Sequence, residues 1–191
     1  MALQMNNPLD QPTDPAQAVA AELLVARARA LAREESTATA DEQIDVLEFG
    51  LGEEVFAFEL NQIREVLVLL ELTPLPRVPP HILGITHVRG HILAVVDLRQ
   101  FFGLPQRGLL NSWQLIVLQS STMEFAVVAE RIIGVRSLPV AALQTSLQTS
   151  LPASTETRAT YLQGIAPDGT VVLSTAKLLA DSLLIVQQTG S

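Results

Sequence analysis

The sequence predicts a mainly β protein made of two small five-stranded barrels side by side, with a helical extension in front and a helix at the end. After about residue 44 the chain consists of short apolar stretches separated by Gly, Pro, Ser or Asp turns, a pattern typical of strands and hairpins. The same order of strands then recurs in the second half of the chain. Five short strands per half favour closure into a barrel, because closure removes the unprotected edges of a small sheet.

Length, charge and the absence of cysteine limit the classes of function. A chain of 191 residues, 48% of them hydrophobic, can bury a core, and we interpret it as one domain with an extension. The lack of Cys excludes disulfides, thiolate metal sites and cysteine nucleophiles. Residues 1–59 carry a net charge of −9 and the rest +1, with no basic stretch for nucleic acid. No apolar run reaches the ~18 residues of a membrane span, so we expect a cytoplasmic protein without direct membrane insertion.

Residues 1–43 are predicted to form an extension outside the barrels. Asp14, followed by Pro15 and Gln17, is a typical helix start, and the helix is expected over about 15–35 before a linker. Its apolar residues form only a partial stripe, made of Val19, Leu23, Leu24 and Leu31. A partial stripe favours a weakly docked extension over a dedicated docking helix, so we expect the barrels to fold without it.

The first barrel is expected over about residues 44–105 and the second over about 112–174. The first contains five apolar stretches, at 46–49, 55–60, 63–70, 84–88 and 91–96. The second repeats the order with strands at 115–118, 124–129, 132–135, 161–166 and 170–173. A low-complexity loop is predicted over 144–160, a closing helix over about 175–185 and a tail over 187–191.

The repeat can be aligned by residue. Phe56-Ala57-Phe58 matches Phe125-Ala126-Val127 at a shift of 69 positions, and Gly84-Ile85 matches Gly164-Ile165 at a shift of 80. Each pair of glycine and isoleucine is followed by a turn, Arg-Gly in the first half and Asp-Gly in the second. A single sandwich would use the same strands, but it would not explain the repeat.

A search for catalytic and metal-binding motifs gives no candidate active site. His81, His87 and His91 lie close in sequence, but a turn reverses the chain between His87 and His91, which argues against a three-histidine metal site. The nucleophile elbow, the phosphate-binding loop and the dinucleotide fingerprint are all missing. Glu53 and Glu54 are adjacent on the chain, so they do not form a carboxylate dyad on a strand. We therefore expect no metal and no cofactor.

Three charged residues interrupt apolar strands and are candidate interaction residues. Glu65 lies within an apolar strand, Arg89 lies at a hairpin tip, and Asp97 ends another apolar run. For Asp97 the pattern favours a local role as the cap of a short helical turn. For Arg89 and Glu65, local pairing and service as interface anchors both remain open.

These motifs resemble the CheW-type chemotaxis coupling domain. The likeness covers about residues 44–186 and includes the segments Phe58 to Val66, Thr73 to Pro80 and Gly84 to Arg99. The last of these contains Arg-Gly, an apolar strand and then Asp-Leu-Arg, and Tyr161 to Ile165 resembles the second-half signature of the family. The resemblance implies two five-stranded SH3-like barrels, which agrees with the repeat.

The resemblance also implies a function and its residues. It implies a non-enzymatic adaptor that couples the cytoplasmic tips of chemoreceptors to the regulatory domain of a CheA-type histidine kinase. The adaptor would be recruited to membrane receptor arrays and would meet the kinase and other CheW-like domains barrel to barrel in rings. The protein-binding residues implied by the family pattern are Ile63, Glu65, Val66, Arg89 and Gly90.

Four positions depart from the family pattern, and two further interpretations remain open. His87 stands in place of Asn, Ala94 in place of Pro, Glu130 in place of Asp, and Gly134 in place of Glu. One alternative is a CheW-like module of another two-component system, for pilus motility or phototaxis, targeted by its N-terminal helix. The other is an enzyme or small-ligand domain built on the same barrels, which the motif search disfavours.

Overall fold

A computed structural model describes residues 21–27, 42–105, 113–144, 154–181 and 184. Residues 21–27 form helix α1. The first half then contains five strands and a short helix: β1 (Gln43–Leu51), β2 (Glu54–Glu59), β3 (Ile63–Val68), β4 (Ile82–Val88), β5 (His91–Val96) and α2 (Leu98–Phe101). The second half contains five strands and two helices: β6 (Gln114–Gln119), β7 (Glu124–Ala129), β8 (Arg131–Pro139), α3 (Ser154–Tyr161), β9 (Leu162–Ile165), β10 (Val171–Leu173) and α4 (Thr175–Ala180).

The ten strands form two five-stranded sheets, and each sheet combines strands from both halves of the chain. The first sheet has the order β8-β1-β2-β10-β9, and the second has the order β3-β6-β7-β5-β4. One neighbouring pair in each sheet is parallel, β2 with β10 and β5 with β7, and the other pairs are antiparallel. The matching parallel pairs make the two halves structurally equivalent, and the predicted mainly β class with two five-stranded units is confirmed.

The predicted division into residues 44–105 and 112–174 is wrong, because the two halves exchange strands. A 3-10 turn at Leu60–Gln62 leads the chain from β2 in the first sheet to β3 in the second. At the equivalent point, Glu130 leads from β7 back to the first sheet, and its amide donates to the carbonyl of Gly50 at 3.1 Å. Neither connection contains the glycine turn that would fold the chain back as a hairpin, so the chain continues from one sheet into the other.

Two equivalent glycines bring each sheet close to closure. A Cβ atom on Gly84 would lie 2.2 Å from the carbonyl oxygen of Thr73, and one on Gly164 would lie 2.8 Å from the side chain of Leu143. Their missing side chains let the segments after β3 and β8 approach the edge strands β4 and β9. The next residue then forms an isolated bridge in each sheet, in the pairs Ile85–Thr73 and Ile165–Gln144. This explains why the Gly-Ile pair recurs in the sequence.

The largest apolar cluster lies between the two sheets. It contains the stacked rings of Phe49 and Phe58, 4.8 Å apart, together with Phe102, Phe125 and Leu178. Smaller clusters include Val95, Val117 and Val128 in the second sheet and Val46, Ala57 and Val172 in the first. Strands such as β6 and β7 are therefore buried on both faces, which explains their continuous apolar runs.

A buried ion network ties the end of β5 to the β7–β8 connection. Asp97 caps α2, since its Oδ1 accepts a hydrogen bond from the amide of Arg99 at 2.9 Å, which confirms its predicted role. The Arg99 guanidinium binds both Asp97 oxygens, at 3.1 and 3.0 Å, and Glu130 Oε1 at 2.7 Å. The side chains of Asp97 and Arg99 are only 1% and 6% exposed. Hydrogen bonding to Asp97 is the main reason that the pKa of Arg99 is raised.

Helix α3 lies within the segment that the sequence predicts as a loop. The segment is rich in Ser and Thr and has no strong helical pattern, but its last residues make tertiary contacts that hold it. Arg158 forms an ion pair with Glu54 of β2, and the ring of Tyr161 packs 5.3 Å from that of Phe101. Tyr161 therefore ends a helix instead of beginning a strand.

Both terminal helices also differ from the expectation. Helix α4 ends at Ala180 instead of near residue 185. Residues 21–27 are helical as predicted, but Leu23 and Ala26 are buried and belong to the cluster between the sheets. This corrects the expectation that the whole extension lies outside the core; the rest of the predicted helix, with Val19 and Leu31, lies outside the described residues. Among the described helices, none is long and apolar enough to cross a membrane.

Candidate partner-binding surface

A β-bulge on β3 brings two neighbouring charged side chains to the same surface. Ile63 pairs with Leu118 of β6, but Glu65 pairs with Val117, the adjacent residue of β6, so Arg64 is the extra residue. Simple alternation would place Arg64 and Glu65 on opposite faces of the sheet. Instead, Arg64 Nε lies 3.4 Å from Glu65 Oε1, and both side chains are about one fifth exposed.

The turn between β4 and β5 places an arginine beside Glu65. Val88 pairs with His91, so the turn has two residues, Arg89 with φ 47° and Gly90 with φ 87°. Positive φ at both positions belongs to the turn whose twist matches that of a hairpin. Arg89 Nε donates to Glu65 Oε2 at 2.7 Å, although the Arg89 side chain is 76% exposed. This hydrogen bond and the charge of Glu65 raise the pKa of Arg89.

Two further side chains extend this arrangement. Arg64 Nη1 donates a hydrogen bond to Glu124 Oε1 at the start of β7, and His91 Nδ1 lies 3.6 Å from Glu124 Oε2. We call the five side chains together the ionic surface: Arg64, Glu65, Arg89, His91 and Glu124. Arg64, His91 and Glu124 were not predictable as partners of this pair, because apolar periodicity and turn residues indicate neither the bulge nor the strand exchange.

The structure divides the predicted binding residues into two groups. Glu65 and Arg89 belong to the ionic surface, and exposed Gly90 completes its turn. Ile63 and Val66 are 0% and 5% exposed and belong to the cluster between the sheets. These two side chains anchor β3 so that the bulge presents Arg64 and Glu65, and the role of Ile63 and Val66 in partner binding stays a prediction.

The first sheet carries an equivalent bulge with different side chains. Ile132 of β8 pairs with Phe49, and Gly134 pairs with the neighbouring Glu48, so Ile133 is the extra residue. Ile133 is 47% exposed. An apolar side chain and a glycine thus stand where the second sheet has Arg64 and Glu65, and the departure at Gly134 removes the equivalent carboxylate.

A second group of charges lies near this bulge. Arg136 Nη2 lies 2.8 Å from Glu48 Oε1, and Arg136 Nη1 lies 2.7 Å from Asp168 Oδ2. Asp168 stands in the Asp-Gly turn that is equivalent to the Arg89-Gly90 turn. The hydrogen bond from Arg136 is the main cause that lowers the pKa of Asp168 to about 2.

The chemistry of both surfaces suits recognition of charged groups. Within the part of the chain that the structure describes, no group of three or more His, Asp or Glu side chains is placed to hold a metal ion. His87 and His91 lie on paired strands, opposite Ile92 and Val88. The charges of the ionic surface pair with each other and remain in part accessible, which is typical of protein–protein contacts.

Comparisons with known proteins agree with the fold. A family model described as the CheW-like domain matches residues 45–182. The chain is 25% identical to the chemotaxis protein CheW of Treponema pallidum over 151 residues, which cover 75% of this chain and 86% of that protein. It is 35% identical to the protein FrzA of Myxococcus xanthus over 98 residues, 47% of this chain and 61% of FrzA.

A third relative and a solved structure show the same likeness. The protein PilI of Pseudomonas aeruginosa is 26% identical over 92 residues, 48% of this chain and 52% of PilI. The crystal structure of the scaffolding protein TtCheW from Thermoanaerobacter tengcongensis superimposes with a TM-score of 0.59 at 21% identity, covering 69% of this chain and 89% of that one. At this identity the structural match shows the fold alone.

Proposed function

This chain belongs to the CheW-like domain family, and we propose that it couples chemoreceptors to a CheA-type histidine kinase. Members of this family are non-enzymatic scaffold and adaptor proteins of chemotaxis and two-component signalling, and the chain is a scaffold of this class. The proposed partners are the cytoplasmic tip of a chemoreceptor and the regulatory domain of the kinase. A cytoplasmic location, recruitment to receptor arrays and rings with other CheW-like domains belong to the same proposal.

The observation that supports this proposal most directly is the exposed Arg89–Glu65 pair. It occupies the positions at which the family resemblance implies partner contacts, and the bulge and the two-residue turn hold both side chains at one surface. Among the described residues, the hydrogen bonding of Arg89 uses its Nε. Its Nη groups therefore suit a carboxylate of a helical receptor tip, which a planar guanidinium grips with two hydrogen bonds.

The test compares Arg89→Ala and Glu65→Ala with a matched control, Arg77→Ala. Arg77 is also an exposed arginine with positive φ, 59°, but it lies in the loop between β3 and β4. The affinities of the full chain for a chemoreceptor cytoplasmic fragment and for the kinase regulatory domain would be measured by calorimetry. We expect Arg89→Ala to weaken binding to at least one partner by roughly ten- to thirtyfold, as for an interface anchor. Glu65→Ala should weaken it less, and Arg77→Ala should bind normally.

Three results distinguish the alternatives. Arg89→Ala and Arg77→Ala should keep the melting temperature of the wild type to within about 2 °C, because exposed substitutions change stability little. Glu65→Ala removes a side chain that is only 18% exposed and should lower the melting temperature by more. If Arg89→Ala binds both partners as well as Arg77→Ala does, the ionic surface is not the coupling surface. If the wild-type chain binds the kinase domain, but neither it nor a variant in which α1 is released binds a chemoreceptor fragment, it is a module of another two-component system.

A further inference from the structure

Helix α1 lies across the junction between the two sheets. Leu23 and Ala26 are one helical turn apart and face the same way, and both are buried in the cluster between the sheets, at 3% and 9% exposure. A carboxylate oxygen of Glu22 lies beside Gly134 of β8, 3.9 Å from the position that a Cβ atom would take there. Arg27 Nη1 donates to the carbonyl oxygen of Arg64 on β3 at 3.0 Å. The helix therefore contacts one bulged strand from each sheet.

This contact is adjacent to the ionic surface. Arg64 accepts the hydrogen bond from α1 through its carbonyl, while its guanidinium contacts Glu65 and Glu124. Arg27, Ile63 and Arg64 line one shallow groove at the end of α1. Ile63, which the family resemblance implies as a partner contact, is buried and lines this groove together with Arg27 of α1.

Among the described residues, helix α1 has one docked face and one exposed face. The docking contacts described are two buried apolar side chains and one hydrogen bond to the backbone. The opposite face of α1 exposes Leu24 at 67% and Val25 at 51%.

We propose that α1 is an intramolecular competitor that covers part of the surface to which a helical partner binds. The inference rests on the proposed coupling function and concerns the regulation of the same site. While α1 is docked, it borders one end of the groove that Ile63 and Arg64 line. A helical receptor tip that extends along this groove past Arg64 has to displace α1, and its apparent affinity falls in proportion to the fraction of molecules in which the groove is free.

The neighbouring leucines provide a matched test. Leu23→Glu places a charge in the buried face of α1, whereas Leu24→Glu makes the same change on the exposed face. Both substitutions introduce a good helix former, so helix propensity is matched. If the groove is free in about one molecule in ten, we expect Leu23→Glu to strengthen binding of a chemoreceptor cytoplasmic fragment by about three- to tenfold. Leu24→Glu should leave the affinity unchanged.

Hydrogen exchange and a milder variant separate release of the helix from damage to the fold. In Leu23→Glu, amide protection should fall in residues 21–27 and around residues 60–66 but should be kept in β6 and β7. Arg27→Ala removes only the hydrogen bond to Arg64 and should strengthen binding in the same direction by a smaller factor. It tests the inference even if Leu23→Glu does not fold.

Each outcome decides the question. Stronger binding by Leu23→Glu or Arg27→Ala supports the inference, including the case in which the wild-type chain does not bind and the released variant does. If the wild type binds the receptor fragment and neither variant binds it more tightly, α1 is a structural helix and the coupling function stands. If the wild type and all variants fail to bind, both the coupling function and its regulation by α1 are overturned.

Discussion

Replacement of Arg99 by alanine tests the idea that the buried ion network holds the two halves of the fold together. Arg99 follows β5, and its guanidinium binds Asp97 on the same segment and Glu130 between β7 and β8. The exposures of these three side chains are 6%, 1% and 14%. The guanidinium carbon also lies 5.4 Å from the ring centre of Trp113. In Arg99→Ala, two carboxylates would remain near each other with their shared cation removed.

The magnitude follows from this burial. Breaking a buried ion pair by removing one partner costs about 3–5 kcal/mol, because the other charge is left without compensation. For a chain of this size, 1 kcal/mol corresponds to a change in melting temperature of about 2–4 °C. We therefore expect Arg99→Ala to melt about 6–20 °C below the wild type, or to fail to fold cooperatively. Urea titrations should show a free energy of unfolding about 3–5 kcal/mol below that of the wild type.

Arg89→Ala is the control, since the same residue type is removed from an exposed ion pair. Its melting temperature should stay within about 2 °C of the wild type, because exposed ion pairs contribute little to stability. Thermal melts and urea titrations of both variants, followed by far-UV circular dichroism, give the comparison. A loss of less than about 1 kcal/mol in Arg99→Ala, or equal losses in the two variants, would refute the reasoning.

Two further predictions concern the closure of the second sheet and the charges of the first sheet. Gly84→Ala should lower the free energy of unfolding by about 2 kcal/mol or more, because its Cβ would collide with the backbone at Thr73; Gly169→Ala, also at positive φ but in open space, should cost about 1 kcal/mol in parallel urea titrations. Asp168 should titrate near pH 2 by carboxyl NMR, and Arg136→Ala should move its midpoint towards 3.8. Because the folded pKa of Asp168 is the lower one, its contribution to stability is present above about pH 4 and is lost as the pH falls through 2; the half-exposed side chain limits it to about 1 kcal/mol or less. An unshifted Asp168 midpoint, or equal losses in the two glycine variants, would contradict these expectations.

The strands could be predicted from the sequence because their signal is local. Apolar runs and glycine turns mark β1 to β10 closely, and the capping position of Asp97 was also predictable. The sheet to which each strand belongs was not predictable in this way. Strand exchange is decided at Leu60–Gln62 and at Glu130, where the chain bends without a hairpin turn, and periodicity carries no information about the direction that it then takes.

The ionic surface was predictable only in part for a related reason. Glu65 and Arg89 stand out because each is a charge among apolar residues, and the family resemblance marks both. Arg64 is equally charged, but its participation depends on the bulge, which shifts the register by one residue. The contribution of Glu124 depends on the pairing of β3 with β6 and of β6 with β7, which is a consequence of the exchange.

Strand exchange also explains how one repeated unit gives a scaffold two different faces. The equivalent turns carry side chains of opposite charge, Arg89 on the second sheet and Asp168 on the first. The equivalent bulges present Arg64 on one sheet and exposed Ile133 on the other. Since each sheet contains strands of both halves, neither face can be separated from the other by cutting the chain between the halves. A substitution on either surface is therefore expected to alter one contact while the common core keeps the second contact in place.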